Sequence, residues 1–533
     1  MFFVFLSGSL CVQRMISAYY HAETGEYMYK EGKYDSDAAA RGIFDDTDFN
    51  STGWYNLQIE GKRGTDALAE THAAGYIEGI FTASFYKNHR NNVYQHLCSK
   101  YIKCEDNYTI PKVIRDYFKN NYNWVKLTGL SNPDMSDPWY FAAATTMAQI
   151  EGMVEAYNKV SNDDTLTIED LWMFMSHASI YDIARAQGFA LQQDNAPLFT
   201  RRGTVIVGRT SSLDNVFIGQ TAWRTYGESV RIAKRYRLRY NSTGNIVDRR
   251  SLSSYPFMLH SDDEFCISDM GLAITSTSII TTNDYAKTVQ ASFQGYPYWF
   301  RNIVATLASH SAGEWFDNYK SEYSTGTGIE YILLDIKKFK YKEGYQDEFV
   351  LAVDEIPGQN AESKDMTSRL IEKRFVGSYD VPAVESIFKT AGYDTLAQTS
   401  PEWYSYENSA RAKILQRTCQ SIYDDDKMKT LIRLNDKDRY SEQGDTTTNA
   451  IAGRFELIKP ASDAMCFGAF DAKFTSIPRM LHSEWVGQVG ASYDNLPQLN
   501  LLNADACDNS DYVGVDTQMY NGWVDQYFDI EID

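Results

Sequence analysis

The chain changes texture at residues 202–204, and this switch constrains its fold more than any other feature. Upstream, hydrophobic residues recur at helical spacing. Downstream, from "GTVIVGR" at Gly203, they come in short β-branched runs broken by turn residues. Hairpins and helices then alternate, which predicts an α+β or layered sandwich architecture.

On the upstream side a helix is expected from Thr65 to about Tyr101. Gly75, Gly79 and Ala83 put small side chains four apart on one face, so another element can approach closely and the helix should be buried. A second helix should start at a Thr167 cap, with Asp170 three residues on, and run to Gly188 with Trp172, Met175, Ile180 and Ile183 in the core. His177 on it reads as a surface or internally satisfied histidine, since no partner motif surrounds it.

Downstream, Thr204–Val207 and Asn215–Ala222 flank "GRTSSLD" as a hairpin, and a helix is expected from Trp223 to about Tyr240. Further strands are expected in "EFCISDMGLAITSTSII" and "IEYILLDIKKF", with a helix at "YWFRNIVATLA" between them. The stretch from Ile356 reads as a turn and loop, and 435–449 as the longest exposed loop.

The chain has 533 residues, more than one hydrophobic core usually spans, so two domains or one large domain with insertions are expected. Its 51 Lys and Arg against 71 Asp and Glu give a net charge of −20, which opposes binding to nucleic acid and to anionic lipid surfaces. "MFFVFLSGSLCV" has the length of a secretory apolar region and "ISA" ends at Ala18 like a cleavage site; a signal peptide over 1–18 is expected, with a buried N-terminal segment as the alternative. No later stretch reaches the ~18 apolar residues of a spanning helix, so a soluble mature protein without a transmembrane segment is expected. Of seven cysteines, Cys11 would leave with the signal; among the others, Cys98 and Cys104 can close a local disulfide loop. Sequons stand at Asn50, Asn107 and Asn241.

The search for chemistry is mostly negative. There is no GxSxG elbow, P-loop, HExxH or Cys/His cluster; Gly487–Gly490 is a fragment of a dinucleotide fingerprint, and the acidic run from Asp505 lacks the EF-hand glycine. No metal and no cofactor are expected. What remains is the Gly203-Thr204 bond. A threonine hydroxyl needs a base, and a threonine at a chain terminus carries one as its own α-amine, with a pKa near ~8. Glycine before it tolerates the strained backbone that such a cleavage needs. An ordinary loop-to-strand junction is the competing reading.

Eleven segments carry a resemblance. They are "TGWYNLQI" from Thr52, "AAGYIEG" from Ala73, "TAWRTYGESVRIAKRYRL" from Thr221, "LSSYPFMLHSDDEF" from Leu252, "WFRNIVATLAS" from Trp299 and "STGTGIEYILLDIKKF" from Ser324. They continue through "DEIPG" from Asp354, "SYDVPAVESIF" from Ser378, "WYSYENSARAKI" from Trp403, "NAIAGRFEL" from Asn449 and "FGAFDAKFTS" from Phe467. In this order the chain resembles the phospholipase B-like family of N-terminal nucleophile hydrolases.

The resemblance implies a four-layer αββα sandwich, processing into associated fragments 19–203 and 204–533, a secreted or lysosomal location, and hydrolysis of lipid acyl bonds; a homo-oligomer is compatible with it. The family's Cys-Ser pair stands where this chain has Arg202, Gly203 and Thr204. With one deletion in the following turn the cysteine falls on Thr204, without it on Gly203. The family's "HNTW" is "QTAW" here, so Gln220 and Thr221 replace its histidine and asparagine, followed by Trp223. Thr204 would then be the nucleophile, with Gln220, Thr221 or Asn302 stabilising the oxyanion and Arg301, Asp263 and Trp223 contacting substrate. For Arg301 the competing expectation is a buried ion pair with a carboxylate such as Asp263. The changed cysteine and histidine positions leave open a lumenal binding or structural protein without activity, and an amidase acting on non-lipid acyl amides is a third class.

Overall fold

The computed structural model describes residues 13–527 apart from 132, 163–164, 190–202, 240–247, 282–291, 321–323, 445, 502–503, 505, 508–511 and 516–521. The apolar run 1–12, Arg202 and the sequon residue Asn241 lie outside the described residues.

Four strands open the chain: β1 (Gln13–His21), β2 (Glu26–Glu31), β3 (Ala40–Asp45) and β4 (Trp54–Gly61). Ile16, Ser17 and Ala18, expected to precede a processing point, are buried in the middle of β1 and pair with both β2 and β3. A cut after Ala18 would take most of β1 with it.

The helical part follows: α1 (Ala67–Lys100), α2 (Lys112–Trp124), α3 (Pro138–Val160), α4 (Ile168–Met175) and α5 (His177–Ala186). Asp66 caps α1 by accepting from the amides of Leu68 and Ala69. The small-residue face acts as expected: a Cβ at Gly75 would stand 1.9 Å from the Gln149 carbonyl oxygen, so α1 and α3 approach backbone to backbone. Thr167 caps α4, accepting from Asp170 N at 3.1 Å. The single helix expected to Gly188 is instead two, broken at Ser176. The Ser176 hydroxyl donates to Trp172 O (2.9 Å) and accepts from Trp299 Nε1 (2.8 Å), competing with the helical ladder.

Beyond Arg202 the expected hairpin forms from β5 (Gly203–Arg209) and β6 (Val216–Thr225), with Thr204 opposite Thr221. The helix expected from Trp223 does not form. The chain stays extended to Thr225, turns, and enters β7 (Arg231–Leu238). "RIAKRYRL" alternates with period two: Ile232, Tyr236 and Leu238 join the helix-facing core, Ala233 the opposite one. Its charges are not a solvated helix face, since Arg231 and Lys234 are fully buried and ion-paired.

Further elements include β8 (Asp248–Ser254), β9 (Phe265–Ser268), β10 (Leu272–Ile279), α6 (Tyr298–Ala308), β11 (Gly328–Asp335), β12 (Val350–Glu355), β13 (Glu362–Asp365) and β14 (Phe375–Ser378). After them come α7 (Ala410–Thr418), α8 (Asp425–Ile432), β15 (Phe467–Ala469), β16 (Asp471–Ser476), β17 (Trp485–Val489) and β18 (Val524–Gln526). The stretch after Ile356, expected as loop, contains β13, an edge strand with all four residues exposed and mostly charged.

An 11-stranded sheet runs β13-β12-β11-β10-β9-β8-β7-β4-β3-β1-β2, and a second runs β14-β5-β6-β16-β17-β18, with β15 also paired to β6. In the large sheet β4 and β7 pair in parallel, and the crossover between them contains the helical block and the β5–β6 hairpin. One core holds α1, α3, α4 and α6 against the large sheet. A second fills the space between the sheets, with Val205 and Ile218 facing Ala233, Ile267 and Ile332. A third holds α7 and α8 against Ile206, Phe217 and Phe474 of the smaller sheet. The architecture is α+β.

Disulfides join Cys98 to Cys104 and Cys466 to Cys507, while Cys266 and Cys419 are buried thiols. No described helix is long and apolar enough to cross a membrane.

Candidate active site

Gly203 begins β5 with φ +128°, a conformation that favours glycine, and a Cβ there would stand 1.8 Å from Thr221 O. Only hydrogen fits at that position, so the first side chain of the strand is Thr204, itself fully buried.

Three elements distant in sequence converge on this bond. Arg411 of α7 donates from Nη1 to Gly203 O at 2.9 Å and to the Thr204 hydroxyl at 3.2 Å. Asp380, just beyond β14, holds the guanidinium through an ion pair at 3.1 Å, and the Trp223 ring lies 4.7 Å from it. The Ile451 carbonyl accepts from Thr204 Oγ1 (3.0 Å) and from Trp223 Nε1 (3.2 Å). Ile451 is positioned by the stretch expected as an exposed loop: Asn435 and Gln443 are buried there, and the Asn435 amide donates to Thr447 O and Ala452 O, both at 2.7 Å. Side-chain amides satisfy the turns, so a polar composition does not mean exposure.

Thr221 donates to Asp471 O at 2.8 Å, and Ala222 N donates to the Asp471 carboxylate at 3.1 Å. Asp471 opens a buried ion network. Lys473 bridges it at 2.9 Å to Asp263 at 2.5 Å, and Arg231 lies 3.1 Å from Asp263 and 3.0 Å from Asp471. Burial works against the charge of Asp263, but Arg231 and Lys473 hold it well below the usual carboxylate range. Next to it, Asp262 lies 2.8 Å from His177 Nε2 and 3.1 Å from Arg224. Burial alone would lower the His177 pKa; facing Asp262 and Glu228, the imidazole is pushed up to about 9. His177 is therefore the internally satisfied histidine of the two expectations and not the surface one, buried against Asp262 and Glu228.

The structure brings together Gly203, Thr204, Thr221 and Trp223, and links Asp263 to them through Lys473 and Asp471. Gln220 projects the other way, between the sheets, donating to Ser276 O at 2.7 Å. Arg301 and Asn302 lie on α6 in the helical layer. Arg301 is a buried arginine as one expectation had it, but its carboxylate is Glu355, with Tyr319 as a further partner. Asn302 Oδ1 accepts from Thr306 at 3.4 Å on the same helix.

Reading the residues did not single out Arg411, Asp380 or Ile451. Each nevertheless lies inside one of the segments carrying the resemblance, "WYSYENSARAKI", "SYDVPAVESIF" and "NAIAGRFEL". Folding brings these segments together at one bond. Among the described residues no group of His, Cys, Asp and Glu is arranged to hold a metal.

The Phospholipase B family model matches residues 40–524, and the chain belongs to that family. Among its relatives are phospholipase B-like protein B of Dictyostelium discoideum, 24% identical over 95% of this chain and 88% of that protein, and phospholipase B-like 1 of Homo sapiens, 27% identical over 83% and 79%. Phospholipase B of Crotalus adamanteus is 25% identical over 83% of this chain and 80% of its own length.

Proposed function

We propose that this protein is a phospholipase B-type acyl hydrolase of the N-terminal nucleophile kind, activated by cleavage between Gly203 and Thr204. The observation that carries the reading is Arg411, which touches both the carbonyl oxygen of that bond and the hydroxyl after it. The helix–sheet–sheet–helix order of the cores supports the N-terminal nucleophile layering.

In the activating step Thr204 Oγ1 attacks the Gly203 carbonyl carbon, and Arg411 stabilises the negative charge forming on the oxygen. The amide nitrogen leaves with the hydroxyl proton as the α-amine of Thr204, and water hydrolyses the ester to a Gly203 carboxylate. The freed amine then acts as base. It takes the Thr204 proton as Oγ1 attacks a lipid acyl carbonyl, returns it to the leaving alcohol, and activates water to release the fatty acid. A side chain at 203 has no room, which favours Thr204 over 203 as the position of the nucleophile. Thr221 and Trp223 border the reacting group. The directions of Gln220, Arg301 and Asn302 favour structural roles for them in the uncleaved chain.

The fragments would remain associated, since β4 and β7, on opposite sides of the cut, are adjacent strands of one sheet. Two disulfides fit an oxidising lumen or secretion. Intact mass and N-terminal sequencing of the purified protein, with fatty-acid release from phosphatidylcholine vesicles, test the proposal. The expected result is a second fragment beginning Thr204-Val205-Ile206 together with turnover. An uncleaved chain without turnover would refute it.

A further inference from the structure

The outer half of α1 carries a polar feature that acyl hydrolysis does not use. Asn88, Asn91, Asn92 and Gln95 follow the i, i+3, i+4, i+7 spacing of one helical face. This face lines a cavity of about 620 Å³, within the roughly 300–1,000 Å³ of small-ligand sites. Across from it stand Tyr108 and side chains of α2 and α4.

Only Asn92 spends its amide on the fold, donating to Gly227 O and Val513 O and accepting from Val513 N, each at 3.1 Å. Among the described residues the Asn88 and Gln95 amides make no hydrogen bond, and Asn91 has one contact, from Arg90 at 3.5 Å. The Tyr94 hydroxyl, buried at the same wall, has no hydrogen-bond partner among the described residues. Tyr108 sits at φ +57° with 43% of its surface exposed, a costly conformation for a tyrosine that holds the ring at the rim. Arg90, Arg115 and Asp170 line the cavity, and Arg115 is neutralised from outside it by Glu105 at 3.1 Å, so the charges balance.

We propose that this groove binds a neutral saccharide. A planar amide offers a donor and an acceptor in one plane, matching vicinal hydroxyls, and a tyrosine ring packs against the apolar face of a pyranose. Balanced charge leaves no excess of cations to hold a phosphate or sulfate. The inference is independent of the proposed hydrolysis.

The test is saturation-transfer NMR and titration of the full-length protein with mannotriose, chitotriose and maltotriose, and separately with inorganic phosphate. The expected result is saturable binding of at least one trisaccharide, undisturbed by phosphate and weakened at least tenfold in Asn91→Ala/Gln95→Ala, with vesicle hydrolysis unchanged. Tyr108→Asn, which keeps a residue tolerant of the left-handed backbone, should weaken it similarly and serves if the double variant melts early. Absence of saturable binding by all three sugars, unchanged affinity in a folded variant, or phosphate binding in their place would overturn the proposal.

Discussion

Arg411 and Gly203 meet across 208 residues of sequence, with the guanidinium 2.9 Å from the carbonyl oxygen of the junction. The same guanidinium is clamped by Asp380, so its position is fixed before any charge develops on that oxygen. Arg411→Lys keeps a cation but loses the fork that serves Asp380 and Gly203 together. Self-cleavage should slow by roughly a hundredfold, the usual loss for one oxyanion donor. The appearance of the two fragments on denaturing gels over time measures this, and a wild-type rate would remove Arg411 from the reaction.

Thr204→Val replaces the hydroxyl with a methyl of similar size in a fully buried site. The hydrogen bond to Ile451 O is lost, at a cost of about 1 kcal/mol. The chain should therefore fold, remain uncleaved and release no fatty acid, while Thr204→Ser retains both activities. Fragment analysis and vesicle assays on the two variants separate a nucleophile from a structural threonine. Activity in Thr204→Val would exclude the hydroxyl mechanism.

Much of the frame was legible in the sequence because short-range physics sets it. The small-residue face around Gly75, the Thr167 cap, the β5–β6 hairpin and the Cys98–Cys104 bridge are each marked by residues near one another in the chain. What was misread depends on partners far away. Arg231 and Lys234 fall within the helix expected from Trp223 to about Tyr240, and Asp263 and Glu78, which neutralise them inside a buried strand, are remote in sequence. The partner that satisfies His177 was not legible, because Asp262 reaches it only through the turn after β8. No local pattern marks Arg411, whose importance comes from the carbonyl it touches.

Arg301 offers a test of the helical layer. Its guanidinium is buried against Glu355, donates to Tyr319 O at 2.9 Å and lies 4.1 Å from the Tyr319 ring. Arg301→Met leaves Glu355 buried without its cation, which should cost about 3–5 kcal/mol. The melting temperature should fall by several degrees while KM for vesicles stays near wild type. A raised KM with unchanged melting would instead assign Arg301 to substrate binding.

Stability should fall as pH rises from 7 to 9. The folded pKa of His177 is raised from 6.5 to about 9, because Asp262 and Glu228 outweigh the burial that opposes its charge. Its contribution, about 3 kcal/mol, is fully present below pH 6.5 and is lost as pH rises to 9. Glu264, raised to about 8 by burial and by Asp263, acts in the same direction: its neutral form fits the fold, so stability falls as pH rises from 4.5 to 8. Asp262 and Asp263 act oppositely, since both are held well below the ordinary 3.8 and their contribution is lost only as pH falls through those depressed values. Urea unfolding should therefore give lower stability at pH 9 than at pH 7, whereas between pH 5 and 7 the buried His72, His89, His96 and His260, each held below 6.5 by burial, oppose Glu264. Relative to wild type, Glu264→Gln should gain stability from pH 5 to 7, and His177→Gln from pH 7 to 9. A wild-type profile that is flat or rises from pH 7 to 9 would contradict the charge states assigned to this buried cluster.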